Sequence, residues 1–215
     1  MSLSPLFDAT KTPKLMLGVW CAPPAAKDSA ENDRRYAEMA EAGFNLAWNP
    51  SPAVLDACEK AGVKALVHLP TTRDTADNIE ACLSFIEPIK DHPALLGFNI
   101  TDEPSATWFP KLGRVRRAVE KRLSGGRYAV CNLYPDYASV EQLTGEPPEG
   151  ADKKAWLAEH GVDYNTHVAE YMATLRPAML SFDYYPLYEH RTDAEGFMHN
   201  MRVIADVAKA YNVPF

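Results

Sequence analysis

At 215 residues, 47% of them hydrophobic, the chain is long enough for one domain with a sizeable core. The formal net charge of -7 and the lack of a basic patch argue against a nucleic-acid partner. No apolar run reaches membrane-spanning length, so a membrane partner is not expected either.

Residues 1–13 read as an N-terminal extension. Its start, Met1-Ser2-Leu3-Ser4, lacks the charged and apolar regions of a signal peptide. Such a start is also what a vector-derived scar leaves after a signal has been removed, so secretion stays open. From residue 14 onward, short apolar runs alternate with amphipathic stretches. Leu15–Trp20 predicts a first strand, and Asp33–Ala42 a helix stopped by Gly43. Phe44–Trp48 predicts a second strand, broken by Asn49-Pro50, and Pro52–Ala61 a helix ending at Gly62. Val63–Leu69 is a third strand, closed by Pro70, with a helix over Thr75–Lys90 behind it.

The fourth strand runs from Leu95 into Asp102-Glu103-Pro104, where proline ends any ladder. A helix over Thr107–Leu123, whose basic face is solvated, leads to a fifth strand, Tyr128–Leu133. The stretch from about 135 to 152 reads as an inserted loop rich in Gly, Pro and acidic residues, followed by one helix, Lys153–Leu175. Ala178–Phe182 is a sixth strand, Asp193–Tyr211 a helix, and Val213-Pro214-Phe215 the first residues of a seventh strand.

Strands alternating with helices imply a parallel sheet. A doubly wound sheet would carry a glycine-rich phosphate turn after its first strand, but Cys21-Ala22-Pro23-Pro24 stands there. Polar and aromatic residues at nearly every strand tip favour a (β/α)8 TIM barrel instead, since such barrels keep their chemistry at those tips. A whole barrel takes about 250 residues. Residues 14–215 are therefore read as its first six βα units, truncated at the start of the seventh strand. Cys21, Cys58, Cys82 and Cys131 have no CxxC spacing and read as small buried apolar residues, as in a reducing compartment.

The tips supply Trp20, Trp48 and Asn49, His68, Asp102 and Glu103, Asn132 with Tyr134, and Asp183 with Tyr184 and Tyr185. Aromatic faces that stack on pyranose rings, with carboxylates and amides that bond hydroxyls, suit a carbohydrate. Glu103 is the candidate catalytic acid/base, and the others are candidate substrate contacts. Each has a plainer alternative: Asp102 and Glu103 as caps of the next helix, His68 as a wall residue, the tryptophans as core. Trp108 is placed at the rim and Trp156 in helix packing. With no HxH or HExxH pattern and no glycine-rich turn, neither metal nor organic cofactor is expected.

Gly97-Phe98-Asn99-Ile100-Thr101-Asp102-Glu103-Pro104 resembles the fourth-strand pattern of the clan A retaining glycoside hydrolases. Leu17-Gly18-Val19-Trp20, Ala42-Gly43-Phe44-Asn45 and Ala61-Gly62-Val63-Lys64 are similar to that clan's first three strand starts. Phe182-Asp183-Tyr184-Tyr185-Pro186 looks like the tip of its uncharacterised carbohydrate-locus branches. The resemblance implies an eight-stranded barrel that cleaves an oligo- or polysaccharide with retention, Glu103 being the acid/base. Asp102 stands where the clan has asparagine, and keeps only the acceptor half of that residue's bonding. The clan's nucleophile is a glutamate at the seventh strand tip, which this sequence does not reach. The rival readings are a non-catalytic carbohydrate-binding barrel and a metal-dependent sugar isomerase or lyase.

Overall fold

The computed structural model describes residues 15–71, 78–192 and 194–215. The extension at 1–13 lies outside them, as do the predicted helix starts at Thr75 and Asp193. Five strands, β1 (Gly18–Val19), β2 (Leu46–Trp48), β3 (Lys64–His68), β4 (Leu95–Asp102) and β5 (Tyr128–Asn132), form one all-parallel sheet in chain order. The crossovers are helices α1 (Ser29–Glu41), α2 (Leu55–Ala61), α3 (Ile79–Ile86) and α4 (Phe109–Glu120). Local chemistry fixes their ends. Asp28 caps α1 by accepting from the Ala30 N–H, and Gly62 ends α2 in the left-handed region at φ 71°.

Strand side chains alternate between two apolar layers. Ala47, Val67, Phe98, Ile100 and Cys131 face the helices and form the main core with Tyr36, Cys58, Leu112 and Val115. Leu46, Trp48, Leu66, Tyr128 and Val130 form a second cluster. Buried on both faces, these strands read as near-continuous apolar runs.

Beyond β5 the layout departs from expectation. The 135–152 stretch is not all loop: α5 (Val140–Thr144) forms in it. The single helix predicted over Lys153–Leu175 is two, α6 (Lys153–His160) and α7 (Tyr164–Leu175). Gly161 is extended between them (φ -60°, ψ 131°), and Asp163 restarts the chain by capping α7. Ala178–Phe182 is not a ladder strand. Its end still lies parallel to the end of β5, with Leu133 N–H donating to Ser181 O and Asp183 N–H donating to Leu133 O. Val213–Phe215 forms no strand, though Leu180 N–H donates to Pro214 O. A hairpin, β6 (Leu187–Tyr188) with β7 (Arg191–Thr192), follows the sixth tip, then α8 (Ala194–Tyr211), packed on α7. The architecture is thus α/β with a five-stranded parallel sheet, not closed into a barrel among the described residues.

Candidate active site at the strand tips

Parallel strands put their C-terminal ends on one side, and the candidate residues meet there. β4 and β5 pair through Asp102 and Asn132, across a register shift that follows Asn99. Asn132 is 1% exposed, with both its amide donors used. Nδ2 donates to Asp102 Oδ1 at 3.1 Å and to Asp183 Oδ1 at 2.6 Å, while Oδ1 accepts from Ser181 Oγ at 2.6 Å. One buried amide therefore holds two carboxylates together. Both N–H groups of Asn132, predicted from sequence as a substrate contact, are committed to these carboxylates.

Glu103 follows Asp102 with its backbone N–H donating to Asn132 O at 2.8 Å. Its φ of 44° is unusual for a non-glycine residue. The Glu103 carboxyl is hydrogen-bonded to Asp183. Burial, the charges of Asp102 and Asp183, and that hydrogen bond push its pKa up to about 7. Burial also raises Asp102, against the pull of the Asn132 hydrogen bond. Two carboxyls at hydrogen-bond distance cannot both ionise cheaply, which adds to the rise at Glu103.

Glu103 opens into a cleft of about 470 Å³, bounded by Asp102, Thr101, Ser105, Trp108 and Tyr134 on the strand side. Glu141, Gln142 and Glu146, from α5 and the residues after it, make the far wall. Lys153 pairs with Glu141 and, at 3.6 Å, with Glu146. Beneath this wall His167 is fully buried, its Nδ1 donating to Leu143 O at 3.0 Å and its ring 6.3 Å from that of Tyr134. Burial lowers the His167 pKa to about 4, and Nε2 has no partner among the described residues.

A second polar group lies one strand over. Asn99, fully buried, donates to Asn49 Oδ1 at 3.0 Å and stands 3.5 Å from His68 Nδ1. Burial lowers the His68 pKa, with the Asp102 charge opposing it. Trp20 and Trp48 stack at 5.2 Å. Trp48 is 8% exposed and belongs to the second core cluster, so core packing is its structural place. Asn99 Oδ1 and Trp48 Nε1 have no hydrogen-bond partner among the described residues.

No protein-family model matches the chain, and no curated protein is similar to it. Solved structures do overlap with it. One, of plant beta-glucan endohydrolases, is 15% identical, covering 80% of this chain and 56% of that one at a TM-score of 0.48. Ruminococcus gnavus beta-glucuronidase is 12% identical over 86% of this chain and 31% of its own, also at 0.48. Thermobaculum terrenum O-GlcNAc hydrolase is 12% identical over 81% and 48%, at 0.41. The chain thus spans about a third to just over half of these proteins' lengths, and scores below 0.5 decide nothing about its chemistry.

Tyr184 packs its ring on those of Tyr137 and Phe197, and Tyr185 is exposed within electrostatic reach of Asp183, Asp102 and Glu103. Cys21, predicted buried, is exposed in the loop after β1, because the strand ends two residues earlier at Val19. The other three cysteines are buried. Glu141, Gln142 and Asn99 were not legible as site residues. Ser139-Val-Glu-Gln142 nevertheless carries the signal for α5, a capping box with both hydrogen bonds made. Away from the tips, donor atoms of Asp56, Glu59 and His92 come within 4.8 Å of one another, the two carboxylates exposed on α2. No helix among the described residues is long and apolar enough to cross a membrane.

Proposed function

We propose that this chain carries the acid/base half of a (β/α)8-barrel glycoside hydrolase that cleaves an oligo- or polysaccharide with retention. Glu103 carries the proposal: it is a carboxyl at the tip of β4, its pKa pushed up to about 7, facing a cleft lined by Trp108 and Tyr134. A general acid works best when its pKa sits near the working pH. In the first step Glu103 gives its proton to the glycosidic oxygen as the bond to the anomeric carbon breaks and a nucleophilic carboxylate, not assigned among these residues, bonds that carbon. In the second, ionised Glu103 takes a proton from water as the water oxygen joins that carbon and the bond to the nucleophile breaks. Asp102 accepts a sugar hydroxyl, and Asn49 and His68 provide further polar contacts.

Asp183 is not assigned as the nucleophile. A retaining pair needs about 5–5.5 Å between carboxyl groups so that the sugar fits between them. Asp183 is in hydrogen-bond contact with Glu103 and leaves no such space. Its assigned role is to raise the Glu103 pKa by its charge and by the hydrogen bond between them. None of residues 1–215 is assigned as nucleophile.

The test is Glu103→Gln in the whole protein. Substrates with poor leaving groups are expected to lose roughly 10²–10⁴-fold in rate. Aryl glycosides with good leaving groups keep their first step and lose mainly the second. Equal, small losses on both would reduce Glu103 to a helix cap. A parent that binds sugars but cleaves none would make the protein a carbohydrate-binding barrel.

A further inference from the structure

Tyr137 and Tyr188 have no part in the chemistry above, yet they stand beside it. Tyr137 is 52% exposed, Tyr185 63% and Tyr188 44%. Three large, partly exposed rings near a carboxyl cluster form the kind of aromatic patch that marks a binding surface.

The patch is built rather than loose. The Tyr185 backbone hydrogen-bonds the Tyr137 phenol oxygen, which ties the segment after β5 to the segment after the sixth tip. Tyr184 stands beneath as a strut, its ring 5.2 Å from that of Tyr137 and 5.5 Å from that of Phe197 on α8. Tyr188 is fixed by the β6–β7 pairing, where Leu187 faces Thr192 and Tyr188 faces Arg191. Tyr137 is within electrostatic reach of Tyr188, Tyr185 and Asp183, so the shelf is continuous with the carboxyl group.

A phenol ring offers an apolar face and a polar tip, which matches the mixed surface of a pyranose. Asp102, Glu103 and Asp183 beside the shelf disfavour an anionic sugar or an acidic lipid surface. We infer that Tyr137, Tyr185 and Tyr188 form a platform for a neutral sugar unit next along the chain from the bond facing Glu103. The ligand is then a run of sugars rather than a lone glycoside. This rests on the glycosidase reading and adds to it the substrate's length and charge.

The experiment is native gel electrophoresis of the protein through gels containing a β-glucan, a xylan, a galactomannan or a dextran, with alginate as the anionic control. At least one neutral polymer is expected to retard the parent and Glu103→Gln alike, while alginate retards neither. Tyr137→Ala and Tyr188→Ala are each expected to weaken that retardation roughly tenfold, as truncating a binding anchor does. Tyr188→Phe, which keeps the ring, should retain it. Thermal melts of the exposed-site variants confirm that folding is unchanged. Retardation that survives both alanine substitutions overturns the platform and leaves the glycosidase reading standing. A parent retarded by none of the neutral polymers overturns the platform as well, and aryl-glycoside hydrolysis then decides separately whether the Glu103 reading survives.

Discussion

Replacing Asp183 with asparagine isolates the cause of the Glu103 protonation. With a pKa of about 7, about half of Glu103 is protonated at pH 7; at its ordinary 4.5 the fraction would be well under 1%. Burial is the largest cause and survives the substitution. The like charge of Asp183 disappears, and the new amide can donate to ionised Glu103 where the carboxylate accepted. Both changes favour the charged form. A fall of roughly one pKa unit is expected, which leaves roughly 10% of Glu103 protonated at pH 7. The Asn132 clamp persists, because an asparagine oxygen at 183 still accepts the bond that Asp183 Oδ1 now takes at 2.6 Å. Carbon-13 NMR titration of the Glu103 carboxyl reads the shift directly, and the alkaline limb of the pH–rate profile should move down by the same amount. An unchanged Glu103 titration in a folded Asp183→Asn protein would refute the Asp183 contribution and leave burial and the Asp102 charge as the explanation.

His167 gives a pH-dependent stability. Its pKa falls from 6.5 in the unfolded chain to about 4 in the folded one. Between those values the unfolded state carries the proton and the folded state does not, so acidification costs roughly 3 kcal/mol across that window and no more below about pH 4. Urea unfolding at a series of pH values should show this slope in the parent and lose it in His167→Asn, which keeps a donor for Leu143 O; identical slopes would exclude His167 as the cause. Gly97→Ala would put a Cβ 2.1 Å from Tyr128 O, on the strand paired with it. Forcing β4 and β5 apart should cost at least roughly 1–3 kcal/mol, a fall in Tm of several degrees, and an unchanged melt would contradict the close approach.

The five strands were legible because each is an apolar run cut off by proline, glycine or a polar pair, and their tips followed from parallel order alone. The carboxyl geometry was not legible. Asp183 lies 80 residues from Glu103, and the Asn132 amide holds it beside Asp102. Asn132 looked like a ligand contact because spacing carries no burial. The break at Gly161 was hidden in a stretch whose helical periodicity runs on either side of it. The β6–β7 hairpin was missed because Tyr184-Tyr185-Pro186-Leu187-Tyr188 reads equally as loop, and only the pairing with Arg191–Thr192 makes it a strand. The cleft wall was visible as a capping box but was absorbed into a segment judged by its Gly, Pro and acidic content.

The exposed thiol at the mouth has a practical consequence. Burial pushes Cys58 and Cys131 up to about 12 and raises Cys82 as well, so none of the three offers thiolate to a reagent near neutral pH. Cys21 is exposed and lies within electrostatic reach of the Tyr185 phenol. A maleimide dye should therefore attach at one position of the unmodified protein, near the Tyr185 phenol. Its emission would report directly whether a sugar chain occupies the mouth, without a catalytic assay and without any engineered cysteine.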